Sequence, residues 1–247
     1  MVKVDERMCK ISVIVPAYNE SPHIRKTIED IEKVFSNPGN YEILVVDDGS
    51  TDNTYLEARK NAENNGHVKV IENGRNGGKG EALKHGFEYA TGDLVTFIDA
   101  DGDLHPHQIK EFMKLMEKSD ADVIIGSKRH PLSKIDYPLK RKILSSAYYL
   151  LNKILFGLSV KDTQAGLKLF KYDVLKKILP KVLVKKYAFD LELLVNANHH
   201  GFKIKEAPIE LNSQRIAGRI KMNDIVRMLV DTAAIFYRLK VLRYYDN

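Results

Sequence analysis

Leu94-Val95-Thr96-Phe97-Ile98-Asp99-Ala100-Asp101-Gly102-Asp103 is the stretch from which both the fold and the chemistry of this chain can be read. Its first five residues are almost entirely apolar, the pattern of a strand buried on both faces of a parallel sheet. Three carboxylates then follow at alternate positions, in a segment whose Asp and Gly content makes it a loop. A loop at the carboxyl end of a parallel strand opens onto the crevice where such sheets bind ligands. Hard divalent cations take oxygen ligands and bridge carboxylates to phosphates, so Asp99 and Asp101 are candidate ligands for Mg²⁺ or Mn²⁺. A polar turn explains an isolated Asp-x-Asp equally well, and the surrounding sequence has to separate the two.

Upstream, residues 10–15 and 41–46 read as further buried strands and 68–71 as a shorter one. Pro16 ends the first, and Ser21-Pro22 predicts the start of a helix carrying Ile24, Ile28, Ile31 and Phe35. Residues 37–40 form a turn by composition. After the second strand, Thr51 or Asp52 is placed to cap a helix running to about residue 63. The glycine-rich segment 73–80 leads into a helix over 81–90, Pro106 starts another, and 123–126 is a fifth strand. Strands and helices therefore alternate over the first 130 residues, as in an open, doubly wound, mostly parallel α/β sheet. Downstream the rhythm breaks into amphipathic helices over 139–156 and 224–242, a strand over 165–170, a helix over 189–198, and short strands at 203–208 and 210–212.

Length and composition set limits on this architecture. The chain has 247 residues, 44% hydrophobic and 29% charged, which suits one large globular domain with at most an appended element. A single cysteine, Cys9, excludes an internal disulfide framework and fits a reducing compartment. The N-terminus lacks the pattern of a signal peptide, and no apolar run is long enough to span a bilayer. The net charge of +6 hides an asymmetry: 15 basic against 23 acidic residues through residue 127 (−8), then 24 against 10 beyond it (+14). A basic half suits a phosphorylated substrate or an anionic membrane surface. Nucleic acid ranks last as a partner, because stacking motifs, zinc-ligand spacings and a helix-turn-helix are all missing.

Two nucleotide motifs fall on inspection. Gly77-Gly78-Lys79-Gly80 lacks P-loop spacing and no Ser or Thr follows Lys79, and no G-x-G-x-x-G follows the first strand. The glycine segment remains either a phosphate-binding loop at a helix start or a flexible turn. Asp47-Asp48 ends the second strand at the same crevice, where a carboxylate can accept hydrogen bonds from a base or ribose.

Taken together, Val-Ile-Val-Pro-Ala-Tyr-Asn-Glu (13–20), Val-Val-Asp-Asp-Gly-Ser-Thr-Asp-Asn-Thr (45–54) and Asp-Ala-Asp-Gly-Asp (99–103) resemble the inverting family 2 glycosyltransferases of the GT-A fold. Gly78-Lys79-Gly80, Asp-Thr-Gln-Ala-Gly-Leu-Lys-Leu-Phe (162–170) and Phe-Asp-Leu-Glu-Leu (189–193) are similar to the branch containing dolichyl-phosphate glucosyltransferases and mannose synthases, nearer the former. The resemblance covers about residues 10–240. It implies that Pro16, Ala17, Tyr18, Glu20, Val46 and Asp48 hold the nucleotide. Asp99 and Asp101 become the metal and sugar-nucleotide carboxylates, with Ala100 between them and Asp103 where relatives often carry a metal-binding Gln. Lys79, Gln164 and Glu192, within the branch motifs, are expected at the substrates. Lys128 stands where Arg is usual, which keeps the charge but not the bidentate fork. Arg215, Gly218 and Lys221 match a basic loop near the acceptor phosphate, with Arg219-Ile220 in place of a polar Ser.

The implied reaction moves a hexose from a nucleotide sugar, UDP-glucose before GDP-mannose, to a polyprenyl (dolichyl-type) phosphate with inversion. Charge developing on the leaving diphosphate calls for Mg²⁺ or Mn²⁺. An acceptor phosphate is already ionised and needs positioning and cations, here Lys128, Arg215 and Lys221, more than a strong base. Asp162, Asp190 and Glu192 remain possible acid–base or orienting groups, and Asp190 equally a helix cap. The expected layout is one GT-A domain over 1–223, its nucleotide-sugar half at 10–127 and its acceptor half at 128–223, then an amphipathic basic helix over 224–247. The helices over 139–156 and 224–242 suit a membrane interface, so the expected location is cytoplasmic and peripheral on the inner face of a membrane. Two alternatives stay open: a saccharide acceptor, and a non-catalytic nucleotide-sugar-binding or membrane-docking protein.

Overall fold

A computed structural model describes residues 9–35, 40–63, 65–133, 139–211 and 222–246, with 139–142 as backbone only. Among these residues seven strands form one sheet: β1 (Ile11–Ala17), β2 (Tyr41–Asp47), β3 (Val68–Glu72), β4 (Leu94–Phe97), β5 (Val123–Ser127), β6 (Lys168–Lys171) and β7 (Ile204–Pro208). Their order is β3-β2-β1-β4-β6-β5-β7. β1 pairs in parallel with β2 on one side and β4 on the other, and β2 with β3. β6 lies antiparallel to both β4 and β5, while β5 and β7 are parallel. The strand order reverses at β1, so the crevice between β1 and β4 is the switch point at which such sheets bind ligands.

Among the described residues eight α-helices cover the sheet: α1 (Ile24–Val34), α2 (Thr54–Glu63), α3 (Lys79–Phe87), α4 (Gln108–Ser119), α5 (Leu139–Phe156), α6 (Tyr172–Ile178), α7 (Phe189–His199) and α8 (Met222–Lys240). The periodic helices α1 and α4 bury Ile24, Ile28 and Ile31, and Ile109, Phe112 and Met116. Residues 189–197 of α7 are all buried, as an apolar helix inside a core requires. Two core clusters, one on each sheet face, divide the inward side chains of alternate strand positions. Ile14, Val46 and Phe97 join α3 and α7 in one, and Val13, Val15 and Val45 join α1 and α4 in the other. Ile235 and Leu239 of α8 and Tyr245 beyond it belong to the first cluster.

Several local expectations change. Ser21 does not cap α1; the helix is entered through a turn in which the Glu20 carbonyl accepts from His23 and Ile24. Asp52, not Thr51, caps α2, its Oδ1 accepting from the Thr54 amide at 3.0 Å. The strand expected over 165–170 begins only at Lys168, although the Leu167 carbonyl already accepts from the Gly126 amide (2.9 Å). The strand expected over 210–212 reduces, among described residues, to one bridge between Leu104 and Leu211. α6 follows β6 without a turn signal and has no counterpart in the sequence reading. The turn expected over 37–40 lies mostly outside the described residues.

Candidate active site

The loops leaving β1 and β2 are fastened to each other. The Thr51 amide donates to Asn19 Oδ1 (2.9 Å), the Asn19 amide to Ser50 Oγ (3.0 Å), and the Glu20 amide to Thr54 Oγ1 (2.8 Å). Asn19 adopts a left-handed φ of 55°, which Asn tolerates better than most residues. Tyr18 is 44% exposed beside this junction, and Pro16 is half-buried. Ala17 and Val46 are buried, and Val46 packs against α3 at Gly86, so its side chain belongs to the core and not to a nucleotide.

Asp48 is buried as well, and its carboxylate is spent on the glycine segment. It accepts from Asn73 Nδ2 (2.9 Å) and the amides of Gly77 (3.0 Å) and Gly78 (2.7 Å). The two amides a phosphate would use are therefore pointed at Asp48, which corrects the reading of 77–80 as a phosphate cradle. Nor is the segment a loose turn. Gly78 sits at φ 92°, where a Cβ would press on the Lys185 carbonyl at 2.7 Å, and the Gly80 amide donates to that same carbonyl (2.9 Å). A Cβ on Gly80 would meet the Phe189 ring at 2.4 Å. This close approach of α3 to α7 brings Lys79 to the first turn of α7.

Lys79 Nζ lies 2.6 Å from Asp99 Oδ1 and 3.8 Å from Asp190 Oδ2. Asp190 Oδ1 in turn binds the buried Lys168 Nζ at 2.6 Å, and Lys168 also donates to the Ala165 carbonyl (2.5 Å). Four charges of alternating sign thus run from β6 through α7 and α3 to the loop after β4. Burial pushes Asp190 up, but Lys168 and Lys79 outweigh it and hold the carboxyl below its usual range. Burial would lower Lys79, and Asp190 and Asp99 together raise it. Asp190 therefore neither caps α7, whose N-terminus has no side-chain cap, nor stands ready as a base.

Asp101 faces the opposite balance. Burial comes first, and Asp99, Asp103 and Glu20 add to it, raising its carboxyl above the ordinary range even though the Asp103 amide donates to Oδ1 (3.0 Å). An acidic group crowded by three others is a site that favours a cation. Among the described residues no three Asp, Glu, His or Cys side chains form a preformed metal centre. Mg²⁺ is commonly held by one or two carboxylates and completed by substrate phosphates. By chemistry and placement, Asp99 and Asp101 fit such an ion. Ala100 is buried with its carbonyl accepting from Thr27 Oγ1 (2.9 Å), which fixes the loop on α1.

The other expected residues divide. Lys128 follows β5, donates its amide to Asp162 Oδ2 (2.9 Å), and adds to the positive field on Asp190. Asp162 Oδ1 accepts from the Gln164 amide (3.0 Å), so this carboxylate organises the turn that carries Gln164. Glu192 is turned inward. Fully buried, it accepts from the amides of Leu183 (2.8 Å) and Val184 (2.6 Å) and from Tyr245 Oη (2.5 Å), and pairs with Arg238 Nη2 (2.8 Å). A carboxylate so committed is structural, which corrects its expected place at a substrate. Arg215, Gly218 and Lys221 lie outside the described residues.

Two residues missed as site residues in sequence come to light here. Gly166 packs directly under Asp99, where a Cβ would stand 2.0 Å from Oδ2. Lys168 anchors Asp190, and its signal in sequence was a lysine inside the apolar run Leu167–Phe170.

The glycosyl transferase family 2 model matches residues 12–179, which take in β1 to β6 and the loops carrying Asp48, Asp99, Asp101 and Asp162 but not the Lys185 segment or α7. The chain belongs to glycosyltransferase family 2. Among the relatives of this glycosyltransferase is a dolichyl-phosphate beta-glucosyltransferase of Trichomonas vaginalis, 34% identical over 98% of this chain and 78% of its own length. Another, from Dictyostelium discoideum, is 30% identical over 88% of this chain and 73% of its own. Among solved structures, glucosyl-3-phosphoglycerate synthase of Mycobacterium tuberculosis bound to UDP superposes with a TM-score of 0.71 at 18% identity, covering 95% of this chain and 81% of that one. Mannosyl-3-phosphoglycerate synthase of Rubrobacter xylanophilus gives 0.73 at 19% identity, over 95% and 76%. The doubly wound sheet is thus the GT-A fold.

Proposed function

We propose that this glycosyltransferase moves a hexose from a nucleotide sugar, UDP-glucose first and GDP-mannose second, to a polyprenyl phosphate of the dolichyl type, with inversion. One observation carries the choice of acceptor. Both oxygens of Asp190 face lysines, Asp162 is hydrogen-bonded into its turn, and Glu192 is buried away from the crevice. A hydroxyl acceptor needs a base, whereas a phosphate arrives ionised and needs only alignment and cations. The dolichyl-phosphate beta-glucosyltransferases among the relatives support the same acceptor, and the UDP-glucose complex of the structural neighbour supports the donor.

Asp99 and Asp101 would hold a divalent ion together with the donor diphosphate, and such an ion offsets charge on the leaving group. Mn²⁺ in the neighbour's complexes supports a metal of this class. Tyr18 would stack on the base, Gln164 would line the sugar side, and Lys128, Arg215 and Lys221 would receive the acceptor phosphate. Attachment to a membrane, where such a lipid resides, is proposed from α5 and α8. They expose Ile143, Leu144, Leu150 and Ile154, and Val226, Leu229, Val230 and Tyr237. The helices are joined by Tyr148 and Thr232 (3.1 Å), and the exposed Arg227 and Lys240 lie on α8 with these positions. Among the described residues no helix is long and apolar enough to cross a membrane. The attachment we propose is peripheral, on a cytoplasmic face.

The deciding experiment supplies labelled UDP-glucose and GDP-mannose in parallel, with a polyprenyl phosphate and Mg²⁺ or Mn²⁺, and counts label in the organic phase. Metal-dependent lipid product from UDP-glucose is the expected result. Transfer only to a saccharide acceptor, or none from a folded, donor-binding protein, overturns the proposal. Co-sedimentation with acidic liposomes at low salt tests the membrane surface, and protein left in the supernatant removes it.

A further inference from the structure

We propose that Lys79 is a built-in, displaceable counter-ion: it occupies Asp99 while the crevice lacks a metal and donor, and must leave Asp99 when they bind. The inference rests on the reading of Asp99 and Asp101 as a divalent-cation site. Three features of the structure carry it. The ammonium of Lys79 is 2.6 Å from Asp99 Oδ1, so it occupies an oxygen a metal would need. Lys79 has a second position within reach, since Asp190 Oδ2 is only 3.8 Å away. Asp190 is itself held still by Lys168, whose buried ammonium takes the other oxygen at 2.6 Å. The backbone of Lys79 is equally fixed, between Gly78 and Gly80 seated on the Lys185 carbonyl and the Phe189 ring.

The side chain is therefore the movable part. It is 29% exposed and stands at the start of α3, between Asp99 at 2.6 Å and Asp190 at 3.8 Å. A divalent ion approaching Asp99 alone meets a resident cation and its repulsion. An ion arriving with a diphosphate offers Lys79 new anionic oxygens, so release from Asp99 is compensated. The device makes metal binding in the absence of donor weak, and couples it to donor binding through one side chain.

The test is Mn²⁺ affinity, read by electron paramagnetic resonance of the free ion, with and without UDP. In the wild type, UDP should tighten Mn²⁺ binding strongly. Lys79→Gln should bind Mn²⁺ without UDP about fivefold more tightly than wild type, the scale of one partly exposed ion pair, and should lose much of the enhancement by UDP. Lys79→Arg, which keeps the charge, should stay near wild type. In an Asp99→Asn background the gain from Lys79→Gln should vanish, since the competition acts through that carboxylate. Unchanged or weaker Mn²⁺ binding by Lys79→Gln, with its melting temperature preserved, overturns the counter-ion. Absence of Mn²⁺ binding to wild type even with UDP overturns instead the metal site beneath it.

Discussion

Replacing Gly166 by Ala tests whether Asp99 is held where the chemistry needs it. The added Cβ would stand 2.0 Å from Asp99 Oδ2 and 2.7 Å from its Cγ, whereas ordinary contact begins at 3.4 Å. The carboxylate must therefore retreat by roughly 1.4 Å, the difference between those two distances at Oδ2. Gly166 does not occupy the left-handed region, so Ala suits its backbone, and the clash is with the end of a rotatable side chain. Stability should change by less than about 1 kcal/mol, because reduced freedom of the unfolded chain offsets part of the crowding. A misplacement of about 1 Å at a reacting site costs on the order of 100-fold, or roughly 2.7 kcal/mol of transition-state stabilisation. The assay is kcat/KM for sugar transfer, measured beside the melting temperature. A loss of about 100-fold with the melting temperature within a few degrees of wild type is the expected result. Activity within threefold of wild type, or a loss explained by unfolding, refutes the placement of Asp99 by Gly166.

Three further outcomes follow from other parts of the structure. Glu192→Ala should lower stability by about 3–5 kcal/mol, because it strands the Arg238 guanidinium and two amides in the interior; urea titration measures this, and a change confined to KM with full stability would return Glu192 to the substrate. Asp52→Ala should cost about 1 kcal/mol, the usual worth of an N-cap at an exposed position. Burial works against Asp52, but hydrogen bonds from Thr54 and Ser21 lower its carboxyl to about 2 from 3.8. Its contribution is therefore complete above pH 3.8 and lost as pH falls toward about 2, so the difference between wild type and variant in acid unfolding should close over that interval. Partial burial, with Asp93 adding to it, pushes the Cys9 thiol up to about 11, so alkylation of the native protein at pH 9 should be much slower than of the urea-unfolded chain, and equal rates would refute the raised thiol.

Local pattern was enough for much of the scaffold. The apolar runs at 11–15, 41–46 and 94–97 could be strands of little else than a parallel sheet, since each is buried on both faces. A strand followed at once by Asp99 and Asp101 placed those carboxylates at the sheet's carboxyl end by chain direction alone. Contacts distant in sequence were a different matter. That Asp48 would bind Gly77 and Gly78, and that Glu192 would turn toward Arg238 and Tyr245, depends on which carboxylate meets donors 29 to 53 residues away. An acidic residue near a crevice looks the same in sequence whether it faces a ligand or the chain itself. The antiparallel insertion of β6 between β4 and β5 is likewise a tertiary outcome, and it delivers Gly166 and Lys168 beside Asp99 and Asp190. Sequence determined which residues carry charge and where the strands end; only folding decided which charges neutralise one another, because pairing is set by distance in space and not by distance along the chain.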